Sequence, residues 1–170
     1  MRCSKKTFDD ARTRLNWPYC HWTHWWNCGF GSGFLPWAPG TWGSLLGLLL
    51  MVFLYRNPLV FSFTTSAALL LSLWSIPKTT AFLGDHDPKS VVCDEVVGQW
   101  IAGLIMWPCL FKGWGAWLIC FFWFRFFDVL KIGPVRWFDL MENDFGVLFD
   151  DVAAGLLAGF CGSLTVLALL

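Results

Sequence analysis

The chain has 170 residues, of which 56% are hydrophobic and 14% charged, where a soluble domain carries about 25% charged residues. Twelve basic and twelve acidic side chains give a net charge of zero. The length suits a single domain over 1–170, the apolar excess indicates an integral membrane protein, and the charge balance excludes the basic footprint of a nucleic-acid binder.

Residues 4–15 are polar and predict a helix on the membrane surface. The basic start, Arg2, Lys5 and Lys6, runs into Asp9, Asp10, Arg12 and Arg14. No apolar stretch follows, so no cleavable signal peptide is expected and the first membrane segment is retained. Residues 17–26, WPYCHWTHWW, are rich in aromatic rings that favour the headgroup layer. They predict an interfacial segment, with a buried aromatic cluster as the competing reading. His21 and His24 belong to this segment.

Residues 29–44, GFGSGFLPWAPGTWGS, hold too many glycines and prolines for a regular helix through most of their length. Gly31 and Ser32 are candidate phosphate contacts, because glycine lets backbone N–H groups approach an anion. Thr41 is a candidate cap for the next helix, whose N-terminus would attract the same group. There is no Walker loop, because no lysine precedes a terminal Ser or Thr. A structural re-entrant or interfacial loop fits the stretch equally well.

Apolar runs follow at Leu45–Tyr55, Pro58–Pro77, Val96–Phe111, Trp114–Phe124 and Val152–Leu170. The second is long enough to cross a bilayer. The fourth is short and reaches about 15 residues if Arg125 snorkels to the interface. The fold class is therefore all-α: a polytopic helical membrane protein with about five membrane segments. With the N-terminus in the cytoplasm, five spans leave Arg56 and Lys112 as the only charges outside. The cations then follow the positive-inside rule, and every carboxylate lies on the same face. This arrangement speaks against a transport pathway, which would place acids at mid-depth.

The seven cysteines (Cys3, Cys20, Cys28, Cys93, Cys109, Cys120 and Cys161) form no CxxC pair. They indicate neither a disulfide framework nor a zinc site. Cys93 stands beside Asp94, but a Cys-x5-Arg phosphatase would need arginine where Gln99 stands.

Two acidic patches remain, DHDPKSVVCDE over 85–95 and the stretch 125–151. Asp94-Glu95 and Asp150-Asp151 each open an apolar segment. One acid at a helix start matches the macrodipole. Two adjacent acids, twice, repel each other unless a cation sits among them, and oxygen-only ligands favour Mg2+. The pattern Arg125-x2-Asp128-x2-Lys131 places all three residues on one helical face, and Arg136-x2-Asp139 follows after Gly133-Pro134 breaks the helix. Arginine and lysine beside metal-binding acids suit a phosphate monoester. Salt bridges and headgroup contacts are the alternative. Asp139 reads as either a ligand or an ion-pair partner. His86, between Asp85 and Asp87, reads as a general acid or base, or as a solvated loop histidine.

In order, the motifs GFGSGFxPxxPGTxGS, HD-x6-DE-x2-G, FRxxDxxKxxPxRxxD and G-x3-DDxxAG cover nearly everything from Gly29 to Gly155. Together they resemble the phosphatidylglycerophosphatase A family. The resemblance implies a Mg2+-dependent lipid phosphatase of the bacterial inner membrane that converts phosphatidylglycerophosphate to phosphatidylglycerol and phosphate. Asp94, Glu95, Asp128, Asp150 and Asp151 would be the catalytic and metal-binding acids, with Asp87 a further possibility. Arg125, Lys131 and Arg136 would hold the phosphate. A non-enzymatic module binding a divalent cation and lipid headgroups is the alternative. The sequence departs from the family pattern at Ile132, where proline is usual, and at Glu142-Asn143-Asp144, where the family is glycine-rich.

Overall fold

A computed structural model describes residues 22–85, 88–141 and 143–169. The expected surface helix over 4–15, residues 17–21 of the aromatic segment with His21, the pair His86 and Asp87, and Glu142 lie outside the described residues. Among the described residues every regular element is helical. In order these are α1 (Trp22–Asn27), a 3-10 segment (Gly29–Phe34), α2 (Pro39–Leu54), α3 (Pro58–Leu83), α4 (Cys93–Ile105), α5 (Trp107–Leu110), α6 (Trp114–Leu130), α7 (Pro134–Asp139) and α8 (Asp144–Leu169).

Local chemistry sets the helix ends. Asn57 caps α3 by accepting from the N–H groups of Leu59 and Val60 at 3.1 and 3.2 Å, and Pro58 occupies the first turn. The helix ends on Gly84 in the left-handed region, with φ 65°. It therefore runs past Pro77 and Lys78, beyond the apolar run that predicted it. The run Val96–Phe111 is not one helix either. It breaks at Met106, ahead of Pro108, into α4 and α5. The glycine-rich stretch turns helical at Pro39, with Ala38 as the N-cap and no side-chain cap bond. Thr41 thus lies inside the first turn of α2 and caps nothing.

The buried helix α4 is the centre of the bundle, packed mainly against α8 and α2. Trp100 donates its indole N–H to the Gly47 carbonyl of α2 at 2.8 Å. Against α8 the approach is closer. A Cβ on Gly155 would collide with the Gly98 carbonyl oxygen, and one on Gly98 would lie 2.7 Å from the Asp151 carbonyl oxygen. Farther along, Gly159 fits against Ile105 in the same way. Small residues that let helix backbones touch are the usual association device in lipid, where apolar surface alone gives no preference for a neighbour.

The outer surface suits a membrane protein. Phe63, Leu70, Leu156, Phe160, Leu164 and Leu167 are all exposed. Two helices, Pro58–Leu83 and Phe145–Leu169, are long and apolar enough to cross a bilayer. Of the other expected spans, α2 has 16 residues, α4 13 and α6 17.

Candidate functional site

The carboxylates converge because of the glycine crossing. Asp94 and Asp151 each lie one helical turn before the glycine at which α4 and α8 touch: Gly98 in one case, Gly155 in the other. The backbones can separate little within one turn, so the acids meet. One oxygen from each of Asp94, Glu95 and Asp151 lies within 4.8 Å of the others. Asp94 and Asp151 are buried, and Glu95 is partly so.

Asp94 and Glu95 stand in the first turn of α4, as the sequence implied. Asp150 and Asp151 do not open their helix. α8 starts at Asp144, so they sit in its second turn, and the macrodipole explains little of their placement. Their adjacency sends them to two partners: Asp150 accepts from the Lys131 ammonium at 2.8 Å, while Asp151 turns to the α4 acids.

A cleft of about 620 Å3 opens over this cluster. The last turns of α6 supply Arg125 and Asp128, which form an ion pair. Arg125 also donates to the Ser44 hydroxyl at 3.1 Å, and that hydroxyl donates to the Gly40 carbonyl at 2.8 Å. Lys131 ends α6 in the left-handed conformation, with φ 47°. Its ammonium bridges Asp150 and Asp139, so Asp139 is an ion-pair partner at the cleft wall. Gly133 and Pro134 then open α7.

All five acids expected to be catalytic, together with Arg125, Lys131 and Asp139, line the cleft. Arg136 does not; it is exposed on α7. Gly31, Ser32 and Thr41 do not either. From the glycine-rich stretch, Ala38, Pro39 and Gly40 reach the cleft instead. Two glycines of the 3-10 segment serve packing: a Cβ on Gly33 would strike the Ser90 carbonyl, and one on Gly29 would lie 2.7 Å from Val92, whereas Gly31, at φ 102°, has open space around it. A Cβ on Gly40 would collide with Glu95 Oε1, so a larger residue there would require that carboxylate to shift.

Three contributors escaped the sequence reading. Ser44 anchors Arg125. Lys89 lines the cleft. Asn27, fully buried, clasps the start of α4: its backbone carbonyl accepts from Val92 N at 2.7 Å and its side-chain oxygen accepts from the Cys93 thiol at 3.3 Å and the Ser75 hydroxyl at 2.6 Å. Its amide donates to Thr79, which also bonds the His24 ring. His24 is thus part of a buried polar network. Only contacts across 46 or more residues, as in Trp26 to Ser72, reveal this network, and no local spacing signals it. Cys93 is no nucleophile candidate, since burial and then the Asp94 charge push its thiol well above the ordinary range.

The electrostatics call for a cation. Burial first, then the neighbouring Glu95, push the Asp94 carboxyl well above its usual range. Burial first, then Asp151, push Glu95 up to about 8. Lys131 stays charged. Burial works against its ammonium, but the Asp139 and Asp150 carboxylates outweigh it and hold its pKa above the usual lysine value. Glu95 Oε2 and Asp151 Oδ1 are buried without a hydrogen-bond partner among the described residues. Orphaned carboxylate oxygens beside a third carboxylate, in an all-oxygen donor set, fit a hard divalent cation.

The match to known proteins covers the same residues. The family model described as phosphatidylglycerophosphatase A matches residues 25–166. A phosphatidylglycerophosphatase A of Haemophilus influenzae is 46% identical over 133 residues, covering 76% of this chain and 80% of that protein. A putative phosphatidylinositol-3-phosphatase of Bacteroides thetaiotaomicron is 38% identical over 134 residues, covering 75% and 83%. A phosphatidylglycerophosphatase A of Escherichia coli is 35% identical over 134 residues, covering 76% and 75%. No solved structure matches the chain. With a match that takes in the acid cluster, both helix-crossing glycines and the cleft cations, the chain belongs to the phosphatidylglycerophosphatase A family.

Proposed function

We propose that the protein is a Mg2+-dependent lipid phosphatase that hydrolyses phosphatidylglycerophosphate to phosphatidylglycerol and phosphate. We place it as a multi-pass protein of the bacterial inner membrane, with about five segments and its cleft facing the cytoplasm. The observation that carries the reading is the convergence of Asp94, Glu95 and Asp151, with two orphaned oxygens, in a cleft that also holds Arg125 and Lys131. The relatives' names share one chemistry, a phosphate monoester on a phospholipid headgroup.

Asp94, Glu95 and Asp151 would hold the metal, with Asp128 and Asp150, which line the same cleft, as further candidate ligands. A Mg2+ ion held by these acids would supply Lewis-acid chemistry toward the phosphate oxygens and the attacking water. Arg125 and Lys131 present fixed positive charge to the remaining phosphate oxygens, where charge builds as the bond to the lipid breaks. Asp128 and Ser44 aim the guanidinium, and Asp139 and Asp150 hold the ammonium. The acyl chains stay in the bilayer while the headgroup reaches into the cleft.

The test is phosphate release from phosphatidylglycerophosphate in mixed micelles, with Mg2+ and with EDTA. Activity should require the metal, and Asp94→Asn should be inactive while still folded. Metal-independent turnover, or full activity in that variant, would reject this site.

A further inference from the structure

Three cations line the cleft, and two are already engaged. Arg125 is paired with Asp128, and Lys131 with Asp139 and Asp150. The third, Lys89, forms no ion pair or hydrogen bond among the described residues, and its side chain is exposed. It also comes from a different segment, the connection between α3 and α4.

Residues 88–92 of that connection are held by neighbouring backbone. Pro88 and Ser90 are buried on either side of Lys89. Val91 N donates to the Pro88 carbonyl at 2.8 Å, and Val92 N to the Asn27 carbonyl. The Ser90 carbonyl is pressed against Gly33, where any Cβ would collide. A flexible lysine stem therefore leaves a rigid turn at the cleft wall. Its surroundings are anionic, since six carboxylates line the same cleft.

We propose that Lys89 binds a second anionic group of the lipid substrate, the phosphodiester that joins the headgroup to the diacylglycerol. The assignment rests on the phosphatase reading above. A phosphatidylglycerophosphate molecule carries a phosphomonoester that reacts and, across one glycerol, a phosphodiester that does not. The orphaned acid oxygens, Arg125 and Lys131 serve the reacting group. The diester still needs a counter-charge in a cleft dominated by carboxylates, and Lys89 is the cleft cation without an ion pair among the described residues. The diester carries one negative charge before, during and after the reaction. A point charge on a mobile stem suits it, and a bidentate fork is not required. Because the diester does not change along the reaction, Lys89 binds ground and transition states alike. Its loss should therefore appear in KM and leave kcat alone.

The experiment compares wild type, Lys89→Met and Lys89→Arg in mixed micelles with Mg2+. It measures kcat and KM for phosphatidylglycerophosphate, and inhibition by inorganic phosphate, which probes only the monoester position. Lys89→Met should raise KM about tenfold with kcat within about twofold, leave phosphate inhibition unchanged, and be rescued by arginine. A thermal melt matching wild type separates this from misfolding. An unchanged KM in Lys89→Met, or a fall in kcat with weakened phosphate inhibition, would overturn the assignment while leaving the phosphatase reading intact. Wild-type protein inert toward the lipid would sink that reading, and the role of Lys89 with it.

Discussion

Asp151 shows what a single side chain contributes in this protein. It is buried, one of its oxygens has no partner, and two other acids face it. Without a cation this arrangement is unfavourable; with one, each charge is compensated. Asp151→Asn should therefore act in opposite directions on two measurements. Hydrolysis should fall at least about a hundredfold. The melting temperature in EDTA should rise, because a repulsive charge is gone. A variant that loses activity and also melts lower in EDTA would mean Asp151 is an ordinary structural acid. Glu95 adds a pH dependence. Its folded-state pKa of about 8 lies above the ordinary 4.5, so the folded protein holds a proton that the unfolded chain releases. The stability linked to Glu95 is complete below about pH 4.5 and is lost as pH rises through about 8. In EDTA the melting temperature should fall between pH 5 and pH 8.5. Saturating Mg2+ should flatten the curve, and Glu95→Gln should remove part of the slope. These acids were legible in the sequence because adjacent carboxylates beside apolar runs are costly and need a reason. Ser44, Asn27 and Lys89 were not, because each acts through partners far along the chain and none is unusual for its neighbourhood.

The helices bring these residues together, and they do so through residues without side chains. Gly98 and Gly155 let α4 and α8 touch one turn from the acids. A Gly98→Ala substitution places its Cβ 2.6 Å from the Phe124 ring and 2.7 Å from the Asp151 carbonyl. Relief requires the helices to move apart at the level of the cleft. The stability loss should be about 1–3 kcal/mol. The apparent Mg2+ affinity, read from a titration of activity, should weaken by at least about tenfold. An equal stability loss with unchanged Mg2+ affinity would show that the crossing does not set the spacing of the acids. The apolar runs and the break at Gly133-Pro134 were legible because composition and proline speak locally. The starts of α2 and α8 were not. Pro39 supplies a first turn without any capping side chain, and α8 begins six residues before Asp150, within the polar stretch ahead of the acids.

Across the whole molecule, four helices bring polar ends to one place, α2, α4 and α8 by their N-terminal turns and α6 by its C-terminal ones. Pro39 and Gly40 of α2, Asp94 of α4, Arg125 of α6 and Asp150 of α8 lie at or near one end of their helices and line one cleft. Arg56 follows α2 and Lys112 precedes α6, each roughly 20–25 Å from the cleft at 1.5 Å of rise per residue. That distance approaches the thickness of a hydrocarbon core. The two remote cations thus lie far along their helices from the acid-rich cleft, and the proposed five-span topology would put the bilayer between them. A labelling experiment in intact bacteria decides whether the cleft faces inward. A membrane-impermeant maleimide should modify Arg56→Cys and Lys112→Cys in whole cells. Exposed Asn143, beside the cleft residue Met141, should react as Asn143→Cys only after permeabilisation. Labelling of all three in whole cells would mean the bilayer is not crossed between them, and the five-span topology would fail. Labelling of Asn143→Cys alone would invert the protein, placing the metal site and its substrate on the outer face.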